Sequence, residues 1–151
     1  MNRLALAAVA AAGLATAWPA AAQFQKPEDA IKYRKAAMTV MANHFSRVAA
    51  MANGKVPFDA ATAQANAELV ATLSKLPFAG FIDGTASGGD TKAKPEIWSE
   101  PDKFKAATTK MQDEVNKLNA AAKTGNIDQI KAAVGDTGKS CKACHDNYRK
   151  E

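Results

Sequence analysis

The sequence predicts an all-α fold, an antiparallel up-down-up-down four-helix bundle with one long loop between the second and third helices. Three observations predict it. Four segments carry apolar residues at alternating three- and four-residue spacing, the period of a helix that buries one stripe. No segment alternates apolar and polar residues by twos, as a half-buried strand would. Two of the three connections are short, which makes the helices they join antiparallel neighbours.

The 151-residue chain opens on a stretch outside that pattern. Arg3 is a short positive region, Leu4 to Leu14 an apolar run, and Ala20-Ala21-Ala22 an A-x-A cleavage pattern. Residues 1–22 read as a secretory signal and residues 23–151 as one domain. The apolar run is shorter than the roughly 20 residues a membrane helix needs, and no later stretch qualifies, so no membrane anchor is expected in the mature form. The formal charge of +5 drops by one when Arg3 is removed. The remaining excess is scattered, with no Lys/Arg block interleaved with aromatics, which argues against nucleic acid. Its default reading is a solvated basic surface; its functional one is weak steering of an acidic redox partner.

The first helix begins at Lys26. Pro27 suits the first turn, and Glu28 and Asp29 place negative charge at the positive end of the helix dipole. Ile31, Met38, Phe45 and Ala52 then recur by sevens, with Arg34, Met41 and Val48 on the adjacent line, forming a bundle seam. Asn53-Gly54 ends it. Arg34 is out of place on such a seam. On the pattern alone two readings stand: its stem covers apolar surface while the guanidinium reaches water, or the guanidinium pairs with a buried anion.

A second helix runs from about Phe58 to Lys75, with Ala61, Ala65, Leu69, Thr72, Leu73 and Leu76 expected inward and Pro77 as its stop. Phe78 to Trp98 has no helical period and carries Gly80, Gly84, Gly88, Gly89 and Pro95. At roughly 20 residues it exceeds the usual connection in a compact bundle. Phe78, Phe81, Ile82 and Trp98 mark it as packed, because disordered tracts are poor in aromatics. Ser99-Glu100-Pro101-Asp102 resembles a capping box opening a third helix, whose Phe104, Thr108, Met111, Val115, Leu118 and Ala122 give the cleanest period in the chain. Thr124-Gly125 closes that helix, and Asn126 with Gln129 opens the fourth.

The fourth helix contains Gly135 and Gly138, each costing up to about 1 kcal/mol relative to alanine in a helix interior. Ile127, Val134, Cys141 and Tyr148 nevertheless fall on one heptad line across both glycines, so one helix from Asn126 to Arg149 is expected. Near its end stands Cys141-Lys142-Ala143-Cys144-His145, the attachment signature of a c-type haem. From Cys141 the helix turns roughly 300° to Cys144 and roughly 400° to His145, so all three project from one face. One turn can thus grip a porphyrin edge with two thioethers and present an imidazole to iron. The rival readings are a thiol redox pair and half a zinc site. No second Cys-x-x-Cys or His pair completes a zinc site, and a thioredoxin-like motif opens a helix in a strand-helix-strand unit, which this chain lacks.

The run from Gln23 to Phe45, the segment Pro95-Glu96-Ile97-Trp98-Ser99 and the terminal Cys-Lys-Ala-Cys-His-Asp-x-Tyr-Arg together resemble cytochrome c′, the class II c-type cytochromes, over essentially the whole mature chain. The resemblance implies one covalently attached haem c, with Cys141 and Cys144 as thioether anchors and His145 as the axial iron ligand. It implies that Arg34 approaches a haem propionate and that Arg149 lies beside the proximal imidazole. Met38 then faces the open side of the iron, where the family usually has an apolar, unbonded residue. By heptad it reads as core filling, while a thioether there could also be a sixth ligand. Met41 is a weaker candidate, and His44, some 120° around the helix from Met38, reads as a surface or dimer-flank residue.

The resemblance implies a periplasmic haem protein with five-coordinate iron that binds nitric oxide and carbon monoxide and also exchanges electrons. Phe78 and Phe81 would help Met38 exclude water and ions, and the lack of a hydrogen-bond donor would disfavour bound dioxygen. The alternative is a six-coordinate electron carrier ligated by Met38. No Ser-His-Asp grouping and no distal histidine or arginine placed for peroxide cleavage is legible, so turnover of an organic substrate is not expected. The family commonly pairs through its first two helices, which implies a homodimer, with a soluble redox partner as a further expectation.

Overall fold

The computed structural model describes residues 23–151 apart from Gly89. The expected secretory signal, residues 1–22, lies outside the described residues. The elements are α1 (Pro27–Ala52), α2 (Ala60–Leu73), a 3₁₀ turn (Pro77–Gly80), the short α3 (Glu96–Ser99), α4 (Pro101–Thr124) and α5 (Ile127–Tyr148). The four long helices close a ring in which α1 adjoins α2, α2 adjoins α4, α4 adjoins α5 and α5 adjoins α1. No described helix is long and apolar enough to cross a membrane.

Local chemistry sets most of the boundaries. Pro27 occupies the first turn of α1 with Glu28 and Asp29 behind it. Asp59 caps α2, its carboxylate accepting the Thr62 N–H at 2.7 Å. Asn126 caps α5 by accepting from the N–H groups of Asp128 and Gln129. Gly125 closes α4 at φ +68°, a left-handed angle that glycine adopts without steric cost. The helix α5 runs unbroken through Gly135 and Gly138, as the apolar phase required. The capping box at Ser99 does not form. Ser99 belongs to α3, its N–H already bonded to the Pro95 carbonyl, and α4 starts from Glu100 with no side-chain cap and Pro101 supplying no N–H to be capped.

The closed end of the bundle is packed by all four long helices: Val48, Met51 and Ala52 from α1, Ala63 and Ala67 from α2, Leu118 and Ala122 from α4, and Ile130 and Val134 from α5. On α1 the seam is buried as expected at Ile31, Met41, Val48 and Ala52, while Met38 and Phe45 are half-buried. Helix α2 corrects the sequence reading. Its buried side chains are Ala63, Asn66, Ala67, Val70 and Ala71, whereas Ala61, Ala65, Leu69 and Thr72 face outward, as does Leu76 beyond its end, and Leu73 is half-buried. The helix is alanine-rich on both sides, so apolar spacing alone fits two phases; the small residues Ala63 and Ala67 went inward because they let α2 approach its neighbours closely.

The segment 77–95 crosses the open end. Gly80 lies so near α1 that a Cβ there would meet the Ala30 carbonyl oxygen at 2.6 Å and the Arg34 Cβ at 2.9 Å. Replacing Leu118, fully buried, with alanine is expected to cost roughly 2–5 kcal/mol, and Gly80→Ala about 1–3 kcal/mol through overpacking, while Leu69→Ala changes the stability of the single chain by less than about 0.5 kcal/mol. Chemical denaturation of the three variants ranks them.

Candidate functional site

The loosest seam of the ring is between α1 and α5, and there the bundle opens into a cavity of about 920 Å³. One wall is the last turns of α5: Gly138, Cys141, Lys142, Cys144 and His145 all line it. Facing residues on α1 are Arg34, Lys35, Met38, Thr39, Met41, Ala42 and Phe45, and Val70, Met111 and Val115 contribute from α2 and α4. Phe78 and Phe81 close one end as a stacked pair, ring centroids 6.1 Å apart, continued by Phe104 and Tyr148 at 5.2 and 5.1 Å.

The two cysteines sit in different neighbourhoods. Cys141 packs against Met41, Val70, Met111 and Val115; Cys144 packs against Ala93, Ile97 and Tyr148. Burial pushes both thiols up from their ordinary pKa, at Cys144 with the neighbouring Cys141 adding to the effect. That is opposite to the depressed pKa of a reactive redox thiol. Burial holds the His145 imidazole below its ordinary pKa, helped by the positive charge of Arg149 and opposed by Asp146. A neutral imidazole is the form that ligates a metal.

Arg34 does not snorkel. It is 3% exposed, and both terminal nitrogens are bound by protein. Nη1 donates to the Gly80 carbonyl and the Thr85 hydroxyl, each at 2.9 Å; Nη2 donates to the Thr85 carbonyl at 2.9 Å and the Thr91 hydroxyl at 2.7 Å. The guanidinium carbon stands 4.4 Å over the Phe81 ring and 5.6 Å from that of Trp98. Burial lowers its pKa, though a guanidinium stays charged. All four acceptors are neutral, so the cation carries no carboxylate partner on this side of the cavity. Thr85 and Thr91 were not legible as site residues, because a loop without period gives no signal for which hydroxyl meets which helix.

His44 is not among the cavity residues. Its Nδ1 lies 2.8 Å from the Asn66 Oδ1, tying α1 to α2. Met111 of α4 is a third methionine in the cavity wall, beside Met38 and Met41, that the sequence reading assigned only to a seam.

An apolar cavity, two thiols and an imidazole on one helical turn, a buried uncompensated cation and a helix position without a Cβ fit a covalently held, anionic macrocycle. At Gly138, one turn before the cysteines, a Cβ would meet nothing within 4 Å, so the α5 wall is cut back there. Residues 29–149 match the family described as Cytochrome C′. The cytochrome c′ of Rubrivivax gelatinosus is 58% identical over 129 residues, covering 85% of this chain and all of the relative. The chain belongs to the cytochrome c′ family.

The crystal structure of that Rubrivivax cytochrome c′ superposes with a TM-score of 0.82, covering 85% of this chain and 100% of the other at 58% identity. A leucine-to-alanine variant of Alcaligenes xylosoxidans cytochrome c′ in complex with nitric oxide superposes at 0.80, with 52% identity over 85% of this chain and 99% of the other. A carbon-monoxide-bound leucine-to-glycine variant of the same protein gives the same score and identity, covering 85% and 100%. As a cytochrome c′ this chain carries a covalently attached c-type haem.

Acid–acetone extraction should therefore leave the pigment on the wild-type protein, whereas a variant with both Cys141→Ala and Cys144→Ala should give it up; absorbance of the two fractions measures the difference.

Proposed function

We propose that this cytochrome c′ is a periplasmic protein whose haem iron is held by His145 alone on one side and left open on the other to neutral diatomic gases, with electron exchange as a second capacity. When bound, the haem supplies an iron that takes a gas molecule or an electron. The protein's residues do the rest. Cys141 and Cys144 hold the ring in place, and His145, kept neutral by burial, offers a lone pair. Arg34 places a buried positive charge where a propionate would neutralise it, while Arg149 stands beside the imidazole.

One observation carries the reading: toward the bundle interior the α1 face of the cavity is Met38, Met41, Ala42 and Phe45, none with an N–H or O–H side chain, while the donors that α1 also brings to the cavity are engaged elsewhere, Arg34 by Gly80, Thr85 and Thr91, Lys35 by Asp90 and the Thr39 hydroxyl by the Lys35 carbonyl, and the nearby His44 is turned to Asn66. Such a wall excludes water and ions and gives bound dioxygen no hydrogen bond, while nitric oxide and carbon monoxide need none. The complexes of the Alcaligenes relative with both gases support it.

A second reading has its own observation. The thioether of Met38 lines the cavity and is half-buried, so it could close the sixth position and make a low-spin electron carrier. Absorption spectra decide. Broad high-spin bands in the reduced protein, a new spectrum on adding nitric oxide, and little change in Met38→Ala support the open iron. Sharp split bands that Met38→Ala abolishes would replace it with the second reading.

Two further assignments belong to this proposal. The basic n-region, apolar run and A-x-A pattern of residues 1–22 support export. The outward apolar line of α2, with Leu69 43% exposed, lies beside Val40 of α1, 45% exposed, each one turn from the His44–Asn66 bridge on antiparallel helices. A second copy of the chain is the occupant we assign to that face, in line with family habit. Sedimentation velocity at micromolar concentration should show a dimer for the wild type and a monomer for Leu69→Glu; a monomeric wild type would remove this assignment.

A further inference from the structure

The segment from Gly80 to Lys94 joins two parts of the site that no helix connects. It starts at Arg34. The Thr91 hydroxyl oxygen accepts Nη2 of Arg34 at 2.7 Å and also the Ala93 backbone N–H at 3.2 Å, which fixes the turn between residues 91 and 93. Beyond that turn the chain is bonded to the end of α5. The Lys150 N–H donates to the Lys92 carbonyl at 2.7 Å, the Lys94 N–H donates to the Tyr148 carbonyl at 3.0 Å, and Ala93 pairs antiparallel with Arg149. The Lys94 ammonium donates to the Asp146 carbonyl at 2.8 Å. Two carbonyls of the last helical turn, which would otherwise face water, are thus held by one residue of the strap. That turn carries His145 and Arg149, the latter's N–H bonded to the His145 carbonyl at 2.9 Å.

We propose that Arg34 is a positioning residue for the His145–Arg149 turn, acting through Thr91 and the strap it anchors, in addition to any charge it presents to the cavity. The planar fork of the guanidinium is suited to this. Nη1 grips Gly80 and the Thr85 hydroxyl while Nη2 grips the Thr85 carbonyl and Thr91, so the strap is pinned at both ends of the 80–91 excursion, which a lysine's single ammonium cannot span. The Phe81 ring beneath the guanidinium and the close approach of Gly80 to α1 fix the fork itself. The axial imidazole and the arginine beside it therefore take their orientation in part from a residue on the helix across the cavity. This rests on His145 being the iron ligand.

The test uses the haem-loaded protein and two readouts. Thr91→Val removes the relaying hydroxyl but leaves Arg34 its bonds to Gly80 and Thr85. Hydrogen exchange should then accelerate roughly tenfold at the Lys94 and Lys150 amides while the amides of residues 80–85 keep their wild-type rates. In resonance Raman spectra of the reduced protein the iron–histidine stretching band should shift. Arg34→Lys should repeat both changes, since charge without the fork does not restore the relay. Wild-type exchange at Lys94 and Lys150 in Thr91→Val would overturn the proposal even if the Raman band moved. Absence of an iron–histidine band in the wild type would instead overturn the ligand assignment, and the proposal with it, whatever the exchange rates show.

Discussion

The proposed function depends on three side chains, two thiols and an imidazole, leaving one helical turn in the same direction toward the cavity. A helix brings residues three and four apart to one side, so Cys141, Cys144 and His145 would hold the haem from α5 alone. Everything else has to make room for that group. The ring of helices does so by loosening a single seam, α1 against α5, while the opposite end closes on alanines and branched aliphatics from all four long helices. The fully buried Leu118 and Ile130 lie in the closed cluster, Val70 and Val115, equally buried, back the cavity wall, and Phe45 packs against both groups. A bundle packed tightly along its whole length would have no space for the cofactor, and one open along its whole length would lack the core to hold its shape.

The cavity wall is built from flexible and aromatic side chains for a related reason. Met38, Met41 and Met111 supply unbranched, polarizable groups that follow the contour of whatever they contact. The chain of rings from Phe78 through Phe81 and Phe104 to Tyr148 supplies stiff area at the end where loop and helix meet. Cys141 lies against the first kind of surface and Cys144 against the second. The two cysteines thus stand at the border between the bundle interior and the aromatic cap.

Much of this was legible in the sequence because helix geometry is periodic. The seams of α1 and α4, the glycines that α5 absorbs and the haem motif all follow from spacing. What spacing could not reveal has specific causes. On α2, alanines lie on both faces and the larger Leu69 points outward, as does Leu76 just past the helix, so hydrophobicity favoured the wrong stripe; the choice was made by closeness of approach, which rewards the smaller residue. The cap of α4 failed because Ser99 was already committed to the preceding turn. The partners of Arg34 lie 46 to 57 residues away in a segment without period, and no local rule pairs a helix arginine with Gly80, Thr85 and Thr91.

Arg34 also shows why a buried charge can be retained where an apolar residue would pack more simply. Replacing a guanidinium by a hydrophobic isostere is often neutral or better for stability when the cation is paired only internally. Here the charge sits among neutral oxygens and aromatic faces, so its desolvation is only partly offset by the protein. On the proposed function, a haem propionate would supply the missing countercharge in a medium of low dielectric, where the attraction is strong. The same side chain holds the strap from Gly80 to Thr91 through four hydrogen bonds, so the cation stands in place and in orientation without that anion. The cost of burying it is borne by the protein, and on the proposed function the gain would appear when the cofactor is seated.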